Sequence, residues 1–409
     1  MKKVIPMGLP LLYNDPMENR QEIDLEVSRM GEEMIRLRRD FHAHPELGLK
    51  EKRTSGVVAE YLGKLGLEVR TGIGRTGVVG LLAGDTPGRT LMLRSDMDAL
   101  PMQEKGDAPY RSTNRNVMHA CGHDGHMAIL LGTAAVLSRF RHRLKGQVKF
   151  VFQPAEERPG GARLMIEDGV LQNPKVDAAF GLHLVTALPV GFIGWCRGTM
   201  MAAMDSFSLR IRGKSGHSAM PDGSIDAILA TARVITALQG LNVPDTTSPR
   251  AALINVGTVN GGSAANVVAE EVELTGTVRT IDREVRAGFP AAMMKVITEA
   301  AGDTKAAFEL DYEHGYPPVV NDPAMADLLV DVIGQTLWGK GLIELPPVMG
   351  SEDMSFYFEQ VPGSFFFLGA GNEDKGLNRP LHSSDFDFDE SALTIGATIF
   401  CRLALTFLG

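Results

Sequence analysis

The sequence predicts an α/β protein: a larger domain built on a central mixed sheet flanked by helices, with a smaller α+β domain inserted into it. Three observations predict this. Short apolar runs, Leu91–Leu93, Phe150–Phe152 and Phe365–Leu368 among them, are separated by helical stretches, the pattern of a sheet covered on both faces. Residues able to chelate a cation follow such runs repeatedly, and sheets of this kind bind ligands beyond the carboxyl ends of their strands. From about Ala203 the apolar runs give way to alternation, as in Phe207, Leu209 and Ile211, which marks half-exposed strands.

The length of 409 residues suits two domains better than one. With 44% hydrophobic and 22% charged residues, the chain has the composition of a soluble globular protein with ample core. A net charge of −9 argues against a nucleic-acid-binding surface and leaves small anionic substrates open. Cys121, Cys196 and Cys401 are too few and too far apart for a disulfide framework, which suits a reducing, cytoplasmic setting. No apolar run is long enough to span a membrane. The opening Met1–Leu12 starts with positive charge, but two prolines interrupt its apolar stretch and no small-residue cleavage pattern follows. It reads as a loose arm rather than a secretion signal.

A long amphipathic helix is expected from about Asn14 to Phe41, where Ile23, Val27, Met30, Met34 and Leu37 hold helical spacing among charges. Pro45 disfavours helix at His44. His42 and His44 read equally as metal ligands or as polar groups ending a helix. Thr54–Leu65 reads as a helix and Leu67–Arg70 as a strand. Thr90–Pro101 begins as a buried strand and ends in Asp96 and Asp98. Carboxylates there need a reason, because burying them unpaired is unfavourable. A helix cap or surface loop is the plain reason; orienting a ligand histidine is the chemical one. Gln147–Phe152 is a strand leading to Glu156 and Glu157. Asp177–Leu182 is a short strand followed by His183, and Gly363–Gly369 is another, with His382 soon after. In the insert, strands Asp205–Gly213, Ala252–Val259, Glu271–Thr280 and Ala307–Glu313 alternate with helices at Ile225–Leu238 and about Arg283–Ala301. That succession suits a small antiparallel sheet with helices on one face, ferredoxin-like in its order. The insert is expected at residues 203–316, between 1–202 and 317–409 of the larger domain. The larger domain resumes with helices at 324–338 and 391–408.

The densest chemistry lies in Met118–Ala128, which holds three of the ten histidines beside one of the three cysteines. Gly122 and Gly125 permit a turn there. The apolar run Met127–Leu137 reads as a buried helix that would hold its ligands rigidly. Cys121 and His123 can address one small volume, and metal sites are built from such clusters. The plain alternative is an inert buried cysteine beside solvated histidines.

These motifs resemble the M20 metallopeptidases, in the amidohydrolase subgroup of hippurate hydrolases, N-acyl-amino-acid amidohydrolases and plant auxin-conjugate hydrolases. The resemblance runs from about Leu37 to the C-terminus. It is carried by Arg39–Glu46, Leu93–Pro101, Met118–Met127, Phe152–Glu157, Gly181–His183, Gly213–Pro221, Gly350–Asp353 and Leu381–Phe386. It implies two divalent metal ions per subunit, zinc, manganese, nickel or cobalt. Their ligands would be Cys121, His123, Glu157, His183 and His382, with Asp98 behind them. Much of the wider family has an aspartate where this chain has its cysteine-containing turn, and whether Cys121 bridges both metals stays open. Thiolate, imidazole and carboxylate independently suit zinc and its neighbours and disfavour magnesium or calcium. Five ligands also exceed a closed four-ligand structural site.

Glu156 is expected to be the general base, since adjacent glutamates cannot both ligate in one direction. It would take a proton from water that the metals polarise together with the substrate carbonyl, and return it to the departing amine. In the insert, His217 resembles the family's oxyanion-stabilising histidine, often supplied by the partner subunit. Asn266 and Arg279 resemble the positions that hold the substrate carboxylate, for which an arginine fork is well shaped.

The expected function is metal-dependent hydrolysis of N-acyl amino acids to a carboxylate and an amino acid. The enzyme would be a homodimer or higher homo-oligomer, its insert serving as lid and dimer surface, with no nucleic-acid or membrane partner. A carboxypeptidase or dipeptidase of the same fold is the second reading. A non-catalytic binding homologue is the third; it would lack a ligand or the base, and the sequence retains both.

Overall fold

The computed structural model describes residues 17–336 and 339–409. The loose arm expected at residues 1–12, and the last two residues of the helix expected at 324–338, lie outside them. The chain divides into two compact units. The first comprises the residues up to Ile193, Asp327–Leu342 and Phe366–Gly409; the second comprises Gly194–Ala326 and Ile343–Phe365.

The first unit is built on a large mixed sheet. Among the described residues it has eight strands, six of which lie in the order Glu68–Ile73, Gly77–Ala83, Lys145–Gln153, Thr86–Asp96, Ala178–Pro189 and Gly363–Gly371, followed by Ile193–Trp195 and Leu342–Glu344. Gly77–Ala83 is antiparallel to both neighbours. Thr86–Asp96 runs parallel to Lys145–Gln153 and to Ala178–Pro189. In this register Asp96 stands opposite Gln153, and Arg94 opposite both Val151 and Gly181. The three strands are thus level where Asp98, Glu156, Glu157 and His183 follow. The buried strand Gly77–Ala83 lacks alternation, and the sequence gives no period by which to see it. His183 lies within its strand rather than after it, because that strand continues to Pro189.

Helix His123–Arg139 is buried along its whole circumference from His123 to Leu137, as befits a helix that is apolar all round. Helices Gly31–Ala43 and Ser391–Leu408 pack against it. The single helix expected near the N-terminus is two, Met17–Arg29 and Gly31–Ala43. Met30, at φ −83° and ψ −6°, interrupts them for one residue. Its N–H still donates to Glu26 and Val27 carbonyls, so the hydrogen-bond ladder survives the interruption.

The second unit contains a four-stranded antiparallel sheet in the order Ala252–Gly261, Glu271–Thr280, Ala203–Arg212 and Ala307–Tyr316. Phe207, Leu209, Ile211, Val272 and Leu274 share one core with Ala230 and Val234 of helix Ala227–Leu238 and with Phe289, Met293 and Ile297 of helix Arg283–Ala301. Asp226 and Asp282 cap these helices, each accepting two backbone N–H bonds in the first turn. The compact unit is larger than the expected 203–316. Strand Gly198–Met201 pairs with Val319–Asn321, and Ala202 N–H bonds to the Val348 and Gly350 carbonyls, which ties those flanking segments to the sheet. Among the described residues no helix is long and apolar enough to cross a membrane.

Candidate metal centre

Gly122, at φ +87° and ψ 9°, precedes helix His123–Arg139. Only glycine adopts that conformation freely, and it sets Cys121 and His123 on either side of one turn, both buried. His123 Nδ1 donates to the Asp98 carbonyl at 2.9 Å, with Asp98 Oδ1 at 3.3 Å. His123 Nε2 is buried and has no hydrogen-bond partner among the described residues.

Asp98 does more than hold a histidine. Its two carboxylate oxygens accept the backbone N–H of Glu156 at 3.0 Å and of Glu157 at 3.1 Å. Buried Glu51 accepts the N–H of Ala155 at 3.0 Å in the same turn. Gly161 closes it: a Cβ there would lie 1.8 Å from the Pro154 carbonyl oxygen. The two glutamates are therefore presented by a turn whose backbone is held from three sides.

His183 donates from Nδ1 to the Leu184 carbonyl at 2.7 Å, and its Nε2 lies 3.4 Å from Cys121 Sγ. Burial pushes this imidazole down to about 3, so it is neutral, the form that ligates metal. His382 sits in the left-handed region at φ +62°, which is uncommon for a residue with a side chain. Its N–H donates to the Ala120 carbonyl at 2.7 Å. Its Nε2 lies 3.2 Å from Cys121 Sγ and 2.9 Å from Glu157 Oε1. Those two contacts push His382 up to about 10. The pocket of sulfur and carboxylate thus favours positive charge.

Donor atoms of Cys121, His123 and His183 all lie within 4.8 Å of one another, as do those of Cys121, Glu157 and His382, and those of His123, Glu156 and Glu157. Cys121 belongs to two of these trios. The set fits divalent cations: it mixes sulfur, imidazole nitrogen and carboxylate, and it contains an orphaned buried nitrogen on His123. Burial also raises the Cys121 thiol, so a neighbouring cation is what would make it a thiolate.

Of the residues singled out in the sequence, Cys121, His123, Glu156, Glu157, His183 and His382 converge in the first unit, with Asp98 beneath them. His42 and His44 lie elsewhere. His42 Nδ1 bonds to Asp124 at 2.8 Å and His44 Nδ1 to the Asp40 carbonyl at 2.9 Å. In the second unit, His217 is exposed and pairs with Val267 in a short ladder beside Asn266. Asn266 offers its carbonyl to Ser218 N–H at 3.2 Å. Arg279 donates from Nη1 to the Met349 carbonyl at 2.7 Å and to Ser351 Oγ at 3.2 Å. Its guanidinium is half-buried and already engaged.

A buried ionic cluster behind the helix start is not evident from the sequence. Arg38 donates from Nε to Asp124 at 2.8 Å, from Nη2 to Asp387 at 2.6 Å and from Nη1 to Glu390 at 3.2 Å. Its ring neighbours are Tyr110 and Phe388. The available signal was the spacing of Met34, Arg38 and Phe41, which puts a charge on the apolar face of its helix.

A family profile described as Peptidase family M20/M25/M40 matches residues 92–406. The chain belongs to this family. This M20 protein is thus a metal-dependent hydrolase acting on amide bonds. It is 37% identical over 395 residues to thermostable carboxypeptidase 1 of Saccharolobus solfataricus, covering 96% of this chain and 99% of that one. It is 36% identical over 382 residues to the N-acetyl-L-cysteine deacetylase of Bacillus subtilis, covering 93% and 89%. Among solved structures, a dinuclear metal binding peptidase from the M20 family of Bacillus subtilis superposes with a TM-score of 0.82 at 34% identity, covering 93% of this chain and 99% of that one.

Proposed function

We propose that this M20 protein hydrolyses N-acyl amino acids to a carboxylate and a free amino acid, using two divalent cations. The observation that carries the reading is the Cys121-centred pair of ligand trios with Glu156 beside them. The deacetylase relative supports the substrate class, and the dinuclear peptidase supports the number of ions. Cys121, His123, Glu157, His183 and His382 would hold the cations. When bound, such cations polarise a carbonyl and lower the pKa of water. Glu156 accepts the proton of the attacking water, holds it through the tetrahedral stage and delivers it to the leaving nitrogen. Glu157 is committed to His382 and Cys121, which leaves the proton to its neighbour. His217 stabilises the oxyanion, and Asn266 and Arg279 take the substrate carboxylate. Three unpaired cysteines suit the cytoplasm as the compartment.

The carboxypeptidase relative favours a second reading in which the acyl group is itself a residue. One panel separates the two. Chelator-stripped protein is reloaded with zinc, manganese, nickel or cobalt and offered acetyl- and benzoyl-amino acids beside dipeptides. Turnover of the acyl amino acids is expected with at least one metal, and Arg279→Ala is expected to raise KM with little change in kcat. Hydrolysis of peptides alone would transfer the protein to the second reading. An unchanged KM would return Arg279 to its bonds with Met349 and Ser351.

The second unit supports a homodimer. Ile228, Leu229 and Val259 are each about half exposed, and Met220 and Val267 are exposed too; a partner subunit would cover apolar side chains of this kind. Val267 pairs with His217, so a partner covering this face would approach that histidine. Specific activity is expected to fall on dilution together with the sedimenting dimer. Full activity from a sedimenting monomer would rule the arrangement out.

A further inference from the structure

His126 lies three residues beyond His123 on the same helix, and its donor atoms fall within 4.8 Å of those of His123 and Asp96. By position it is one more ligand. Its hydrogen bonds say otherwise. Nε2 accepts the backbone N–H of Leu184 at 2.9 Å, and an N–H only donates. The hydrogen of the ring therefore sits on Nδ1, which meets Asp96 Oδ1 at 2.7 Å. Both nitrogens are spent on the protein.

Asp96 is fully buried and is held from its other side. Arg94 Nη1 donates to its Oδ2 at 2.9 Å, while Arg94 Nε donates to Gln153 Oε1 at 2.9 Å. Pairing of strand Ala178–Pro189 with Thr86–Asp96 ends at Gly181, so Leu184 lies beyond that ladder. His126 takes its N–H, and its carbonyl accepts Nδ1–H of His183. The main chain of Leu184 is thus held at both its N–H and its carbonyl. One side connects it through His126 to the Arg94–Asp96 pair; the other fixes which nitrogen of His183 faces Cys121.

Resting on the metal-binding reading above, we infer that His126 is a positioning residue: with Asp96 and Arg94 it aims His183 through the Leu184 main chain and does not touch the cation. Groups one step behind a ligand typically change metal affinity by about 10–100-fold when removed. A ligand would be lost outright.

The test uses cobalt binding to the chelator-stripped full chain, read by competition with a chromophoric chelator and by the sulfur-to-cobalt absorption that Cys121 supplies. His126→Phe keeps a planar ring and removes both nitrogens. His126→Gln keeps one donor and one acceptor. The Phe variant is expected to retain the cobalt–sulfur band and full stoichiometry, with affinity weaker by about 10–100-fold. The Gln variant is expected to recover most of that affinity. Unchanged affinity in the Phe variant overturns the inference, and so does loss of one whole equivalent of cobalt in both variants, which would make His126 a ligand. If the Phe variant does not fold, His126→Asn, too short to span Asp96 and Leu184 together, takes its place with the same expectations. Wild-type protein that takes up no cobalt would overturn the metal-binding reading itself; two equivalents bound by wild type and equally tightly by the Phe variant would overturn only the role of His126.

Discussion

Replacing Glu156 by Gln is expected to lower kcat by about 10²–10⁴ while leaving metal content at its wild-type level. The substitution preserves shape and removes the ability to carry a proton. Its backbone consequence is small, because the N–H of residue 156 is held by Asp98 Oδ1 whichever side chain follows. Glu157 is the control. Both glutamates group with His123, but only Glu157 also groups with Cys121 and His382, 2.9 Å from the latter, so Glu157→Gln is expected to weaken metal binding first and turnover as a consequence. Kinetics and metal analysis on the two variants separate the roles. Glu156→Gln turning over within about threefold of wild type would remove it from proton transfer, since general-base losses are far larger than that.

Replacing Arg38 by Leu is expected to destabilise the protein by about 3–5 kcal/mol, the range for removing one partner from a buried ion pair. Arg38 is fully buried, and its loss leaves Asp124 with a charge in the interior and His42 as its remaining side-chain hydrogen-bond partner among the described residues. Although burial alone would raise the Asp124 pKa, Arg38 and His42 hold it well below the usual carboxylate range. A depressed carboxylate contributes stability above its unfolded pKa, about 3.9, and loses it as pH falls toward the folded value. The deficit of the variant is therefore largest above about pH 4 and narrows below it. Denaturant midpoints of wild type and variant at neutral and acidic pH measure both statements. A deficit under about 1 kcal/mol at neutral pH would mean that the cluster is not what holds this end of the helix.

The convergence of the candidate ligands was legible because their chemistry is local. Cys121 and His123 share one turn, Glu156 and Glu157 are adjacent, and His183 follows a run of apolar residues. Short apolar runs then indicated the strands after which those residues emerge. The supporting shell was not legible in the same way. Arg38 meets Asp124 across 86 positions, and His126 meets Leu184 across 58; pairings of that kind leave no period in a single sequence. His126 carried a misleading signal, since its place in a histidine-rich turn suggests a ligand and only its two partners identify its use. Gly77–Ala83 was invisible for a different reason. It is buried on both faces, so alternation is absent, and Gly77 and Gly80 break the apolar run by which the other buried strands were seen. In the second unit the alternation was present, as in Ala203–Arg212, and the sheet could be traced from it.

Cys121 and His382 stand 261 positions apart and meet at 3.2 Å. An ion gripped between them would act as a removable cross-link, closing most of the polypeptide into a ring. Anything bound only by the folded form shifts the folding balance by mass action. The lifetime of such a molecule in a cell would then follow the supply of trace metal, with scarcity exposing it to proteases.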